Sequence, residues 1–107
     1  MSKWAEITTK EVEKLLKDGK EIQLIDVREV EEYRSGHIRG AQLIPLGQLD
    51  VRLDEIDPNK ETILVCRSGA RSGRACDYLA DHGYKKVKNM AGGMLDWQGK
   101  VLTMDGE

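Results

Sequence analysis

Thr62-Ile63-Leu64-Val65-Cys66-Arg67-Ser68-Gly69-Ala70-Arg71-Ser72 is the stretch on which the fold turns. Its first four residues are apolar or β-branched without interruption, the pattern of a short strand buried on both faces. The strand runs straight into Cys66. A loop of small residues follows, and a helix is expected from about Arg71 to His82, stopped at Gly83. Strand, tight loop and helix in that order form one βα unit of a parallel sheet.

Outward from this unit the same alternation repeats. Ile22 to Val27 reads as a strand, followed by a short helix over roughly Val30 to Ser35 that Gly36 stops. Ala41 to Ile44 reads as a strand ended by Pro45, and Leu46, Leu49, Leu53 and Ile56 space out a short helix. Val87 to Met90 is a last strand, and Gly92-Gly93 leads into a short helix through Trp97. At the other end, Ile7 to Val12 is expected to open the first helix. Thr8 with Glu11 three residues on makes a capping box, flanked by Ile7 and Val12 as a hydrophobic staple, and Gly19 ends that helix. Four or five short strands alternating with helices give an α/β fold. In such a sheet ligands sit beyond the carboxyl ends of the strands, here Asp26, Pro45, Cys66 and Ala91.

Composition narrows the function. The 107 residues fit one domain, with a core expected over about residues 5–99 and an uninformative tail over 100–107. With no Phe, that core must be built from Ile, Leu, Val, Met and Ala. Seventeen Lys and Arg against nineteen Asp and Glu give a formal charge of -2, which argues against a nucleic-acid partner recognised by a basic surface. No apolar run is long enough for a membrane helix, and Met1 to Glu6 lacks the apolar region of a secretory signal. Two cysteines are too few for a disulfide scaffold, so a reducing cytoplasm is the expected compartment.

Chemistry concentrates at Cys66. Loop N–H groups and the N-terminus of the following helix favour an anion, and favour a thiolate over a thiol. Arg67 and Arg71 place two positive charges within the same turn, and Gly69 lets the backbone curve and a ligand approach. These are the parts of a nucleophilic thiolate in an anion-binding cradle. Cys76, inside the helix near Leu79 and Ala80, reads as core packing. Two Cys and two His without ligand spacing argue against a metal site.

Three blocks carry a family resemblance: Asp26-Val27-Arg28-Glu29 with Glu32-Tyr33 and Gly36-His37-Ile38-Arg39-Gly40-Ala41 through Ile44-Pro45; Val65 to Ser72; and Asn89-Met90-Ala91-Gly92-Gly93-Met94 with Trp97. In this order they resemble a single-domain rhodanese, a sulfurtransferase, over nearly the whole chain. The resemblance implies a three-layer fold, with a five-stranded, mainly parallel sheet between helices, and an active cysteine opening a six-residue loop. It also implies that the Cys66 thiolate takes a sulfane sulfur from a small anionic donor such as thiosulfate. The sulfur is held as a persulfide and passed to a thiophilic acceptor such as cyanide or a thiol, without cofactor or metal. Arg67, Ser68, Gly69, Ala70 and Arg71 would bind the substrate, with Asp26, Arg28 and Ser72 behind them. Arg67 directly after the cysteine points to thiosulfate rather than 3-mercaptopyruvate as donor.

Two rivals remain at this point. A phosphatase-like activity is disfavoured because only four residues separate Cys66 from Arg71, one fewer than in related phosphate-binding loops, and because Val65 rather than His precedes the cysteine. A persulfide carrier or binding module that hands sulfur to a protein partner stays open. Asp26 and Arg28 could orient Arg71 or the loop, but a structural salt bridge, for instance Arg28 with Glu32, is the simpler expectation. His37 is expected to be structural, and Trp97 to pack in the core. Glu29, Glu31 and Glu32 are expected to form a solvated helix face.

Overall fold

Ile63, Leu64 and Val65 have no exposed surface at all, and the rest of the molecule is arranged around them. In the computed structural model, which describes residues 3–104, the elements are β1 (Ala5–Ile7), α1 (Thr9–Lys17), β2 (Gln23–Asp26), α2 (Val30–Ser35), β3 (Gln42–Leu43), β4 (Thr62–Val65), α3 (Ala70–Asp81), β5 (Val87–Met90) and α4 (Gly93–Asp96). The five strands form one sheet in the order β1-β5-β4-β2-β3, and every pairing is parallel. Strand β4 lies at the centre, between β2 and β5.

Alternation along β2 and β4 divides the core into two layers. Ile25, Leu64 and Cys66 face one side, where Ala75, Cys76 and Leu79 of α3 cover them together with Leu49, Ile56 and Tyr84. Leu24, Ile63 and Val65 face the other, under Val12 of α1, with Tyr33 of α2 and Met94 of α4 packed against them. Each fully buried Ile, Leu or Val contributes about 1.5–3 kcal/mol, which is how short strands hold a core without any Phe.

Helix α1 begins as expected. The Glu11 N–H donates to Thr8 Oγ1 at 3.1 Å and the Thr8 N–H to Glu11 Oε1 at 3.0 Å. The residue before the cap, however, is in a strand. Ile7 pairs with Met90 in β1, and its carbonyl accepts the Ala91 N–H at 2.9 Å. A three-residue edge strand is too short to display a period, so its one buried residue read as part of the helix.

Two further expectations change. The helix expected across Leu46 to Ile56 is a pair of 3-10 turns, Leu46–Gln48 and Leu53–Glu55. The apolar spacing there marks anchors instead: Leu49 and Ile56 are buried, and the Tyr84 hydroxyl donates to the Leu53 and Ile56 carbonyls at 3.0 Å. The expected tail is also structured in part. Leu102 forms an antiparallel bridge with His37, through N–H···O bonds of 2.9 and 2.8 Å. Residues 105–107 of that expected tail lie outside the described residues.

Candidate functional site: a cysteine loop at the carboxyl end of the sheet

Cys66 is the first residue beyond β4 and only 1% exposed. The chain turns over its sulfur. Gly69 adopts φ +104°, a left-handed conformation that costs glycine nothing, and its N–H donates to Cys66 Sγ at 3.0 Å. Helix α3 starts at the next residue. Ser72 in its first turn places its hydroxyl 3.3 Å from Sγ. Burial pushes the Cys66 thiol up, but the Ser72 hydroxyl and the backbone N–H groups of Ser72, Gly69 and Ser68 outweigh it, and the thiol ends below its ordinary value.

Asn89 on β5 ties the loop together. Its amide donates to the Gly69 carbonyl at 3.0 Å, and its Oδ1 faces the Ser72 hydroxyl at 2.5 Å. That hydroxyl has one proton and two acceptors. A charge-assisted bond is the stronger one, so the proton swings to the sulfur as thiolate forms. Asn89 stood in the third sequence block without a role. A buried amide at the carboxyl end of a strand is the signal that could have marked it.

The turn after β5 grips the same loop from below. Met94 N–H donates to the Cys66 carbonyl at 2.9 Å and Leu95 N–H to the Arg67 carbonyl at 3.0 Å. Gly93, at φ +59°, lets the two backbones meet: a Cβ there would lie 2.5 Å from the Cys66 carbonyl oxygen and 2.6 Å from the Arg67 carbonyl carbon.

The two arginines differ from expectation. Arg67 is exposed, and among the described residues its side chain has no partner. Arg71 is held by Glu32 through two parallel bonds of 2.7 and 2.8 Å. Glu32 therefore belongs to this site rather than to a solvated acidic face, and the expected pair of free cations is reduced to one. The bonds from Arg71 hold the Glu32 carboxyl at about 2.

Asp26 and Arg28 do not reach the loop. Arg28 bonds Asp26 at 2.8–3.1 Å through its side chain and donates to the Gly36 carbonyl at 2.7 Å. The buried pair fastens the end of β2 to the far end of α2, so the salt bridge is Arg28 with Asp26, not with Glu32. Ser68 and Ala70 are exposed on the loop. His37 Nδ1 lies 2.9 Å from the Tyr33 carbonyl, with the two rings stacked at 3.8 Å. Trp97 is half-buried against the core and donates to the Lys100 carbonyl at 3.1 Å. Cys76 is fully buried in the α3 face of the core, and burial pushes its thiol up to about 12. Neither cysteine is in a disulfide. Among the described residues no three His, Cys, Asp or Glu gather as a metal site, and no helix is long and apolar enough to cross a membrane.

The chain as a whole, with Cys66 beyond the central strand of its β1-β5-β4-β2-β3 parallel sheet, is similar to known proteins. The rhodanese-like domain model matches residues 8–100. The chain belongs to the rhodanese-like family. A sulfurtransferase of Allochromatium vinosum is 36% identical over 86% of this chain and 86% of its own length. YrkF of Bacillus subtilis, provisionally named a sulfur carrier, is 39% identical over 90% of this rhodanese-like chain, which spans only 52% of YrkF. The crystal structure of a rhodanese-like domain protein from Staphylococcus aureus superposes with a TM-score of 0.85 at 34% identity, over 92% of this chain and 97% of that one.

Proposed function

We propose that this rhodanese-like chain is a sulfurtransferase that moves a sulfane sulfur through a persulfide on Cys66. The carrying observation is the set of donors around Cys66 Sγ, with the Gly69 N–H at 3.0 Å and the Ser72 hydroxyl at 3.3 Å. With thiosulfate as donor, the thiolate attacks the outer sulfur. A new S–S bond forms, the donor S–S bond breaks, and its electron pair leaves with sulfite. A thiophilic acceptor, cyanide or a thiol, then attacks the outer sulfur of the persulfide, and the Cys66 thiolate leaves. The loop N–H groups stabilise both the thiolate and the persulfide anion. The unpaired Arg67 draws in the anionic donor.

Arg71 speaks against phosphatase chemistry. A phosphate-binding loop aims its arginine at the oxyanion, whereas this one is committed to Glu32. Transfer to a protein acceptor, the carrier reading that the name of YrkF raises, uses the same persulfide and differs only in the second nucleophile. A reducing cytoplasm suits a site that must keep its thiol free. The test is thiocyanate formation from thiosulfate and cyanide, with parallel-line double-displacement kinetics. Cys66→Ser should abolish it, and Cys76→Ser should retain it. Aryl phosphate turnover, or full activity in Cys66→Ser, would overturn the reading.

A further inference from the structure

Glu32 brings a carboxylate to this site, bound to one of its two loop cations. It reaches Arg71 from α2, with Oε1 2.7 Å from Nη1 and Oε2 2.8 Å from Nη2. The Glu29 N–H, at 3.0 Å from Oε1, holds it in place. The side chains of the pair are 29% and 30% exposed, so solvent reaches the pair. Arg28, the other cation near Glu32, is already engaged by Asp26. Glu29, which caps α2, and Glu31 within it lie exposed, and Arg67 stands exposed on the loop. A donor approaching the Cys66 thiolate therefore meets one unpaired loop cation and one neutralised pair.

We propose that Glu32 is a positioning residue that tunes the charge of the sulfur donor: by cancelling Arg71, it shifts the loop toward singly charged sulfane donors, such as a thiol persulfide or a thiosulfonate anion, relative to the thiosulfate dianion. This rests on the sulfur-transfer reading. The step is the same for each donor. The Cys66 thiolate forms a bond to the terminal sulfur, the donor bond to that sulfur breaks, and the electron pair leaves on a thiolate or a sulfinate, so no oxidant or reductant is consumed.

The charge argument is quantitative. The energy of an ion near a fixed charge scales with the charge of the ion, so the factor by which Glu32 slows a dianion is the square of the factor for a monoanion. A unit charge about 8 Å away in a water-like medium corresponds to roughly twofold for a monoanion and four- to sixfold for a dianion at low salt.

The experiment compares kcat/KM for thiosulfate and for the benzenethiosulfonate monoanion in the wild type, Glu32→Gln, Glu32→Asp, and Glu32→Gln combined with Arg71→Gln. Glu32→Gln should raise thiosulfate use roughly four- to sixfold and benzenethiosulfonate use roughly twofold, with both gains shrinking at high salt. Glu32→Asp and the double variant should return the ratio of the two donors to that of the wild type. An equal, salt-independent fall for both donors in Glu32→Gln would make Glu32 a purely structural residue and overturn the inference. If the wild type takes sulfur from neither donor, the sulfur-transfer reading itself has failed. If it takes sulfur from both and the ratio does not move, only the inference about Glu32 has failed.

Discussion

Gly93→Ala tests how the site is held. The added methyl would lie 2.5 Å from the Cys66 carbonyl oxygen, 2.6 Å from the Arg67 carbonyl carbon, and closer still to the Arg67 carbonyl oxygen. All three are backbone atoms that cannot rotate away. An alanine at φ +59° costs about 1–2 kcal/mol in the left-handed region. Forcing the two backbones apart adds about 1–3 kcal/mol. Moving them weakens the bonds from Met94 and Leu95 to the loop carbonyls, each contributing about 0.5–1.5 kcal/mol. Because the clash and the weakened bonds partly relieve each other, the total is about 3–5 kcal/mol. For a domain of this size that lowers Tm by at least about 12 °C. Gly40→Ala is the control, since Gly40 has φ +86° but nothing within 4 Å of its Cβ position, and it should cost only the first term. Urea titration and thermal melts followed by circular dichroism read both variants. If Gly93→Ala costs no more than Gly40→Ala, so that the backbone term of about 1–2 kcal/mol accounts for all of it, the claim that α4 clamps the cysteine loop through Gly93 is wrong.

Three further outcomes follow from the same geometry. Ser72→Ala should raise the midpoint of the pH profile for Cys66 alkylation by iodoacetamide by about one pH unit, while Cys76, held near 12, stays unmodified in the folded protein. An unchanged midpoint would remove Ser72 from the set of thiolate donors. Asp26→Ala should cost about 3–5 kcal/mol in urea unfolding by leaving the Arg28 charge buried without its partner, and Asp26→Leu with Arg28→Met should cost less than this single change. The carboxyl of Glu32 falls from its usual 4.5 to about 2 on folding. Its stabilising contribution is therefore full above about 4.5 and is lost as pH drops toward 2. The gap in urea midpoint between wild type and Glu32→Gln should be flat from pH 8 to 5 and narrow below that, and a gap still unchanged at pH 3 would contradict the pairing with Arg71.

The legible parts of this chain were those with local signals. The capping box at Thr8 and Glu11, the apolar run of β4 and the turn at Gly92-Gly93 each carry their cause within a few neighbouring residues. The position of Cys66 at the end of a buried strand followed from the apolar run before it, while the place of that strand at the centre of the sheet came from the structure. What stayed hidden depended on long-range partners. Glu32 and Arg71 are 39 residues apart, and nothing in the acidic run around Glu32 indicates which of its carboxylates turns inward. Asn89 looked like an ordinary strand residue until Gly69 and Ser72 came to meet it. The edge strand β1 and the bridge from His37 to Leu102 are too short for any period, and they exist because a neighbouring backbone offers unpaired N–H and C=O groups. The fold was readable from pattern. The electrostatics of the site needed tertiary structure, because a charge is defined by what it faces.

The most direct test of the central claim is the intact mass of the protein after incubation with excess thiosulfate and removal of the small molecules. The account predicts a gain of one sulfur atom per chain, lost again on adding cyanide, absent in Cys66→Ser and present in Cys76→Ser. An unmodified mass with every sulfane donor tried, or a sulfur that persists in Cys66→Ser, would contradict it.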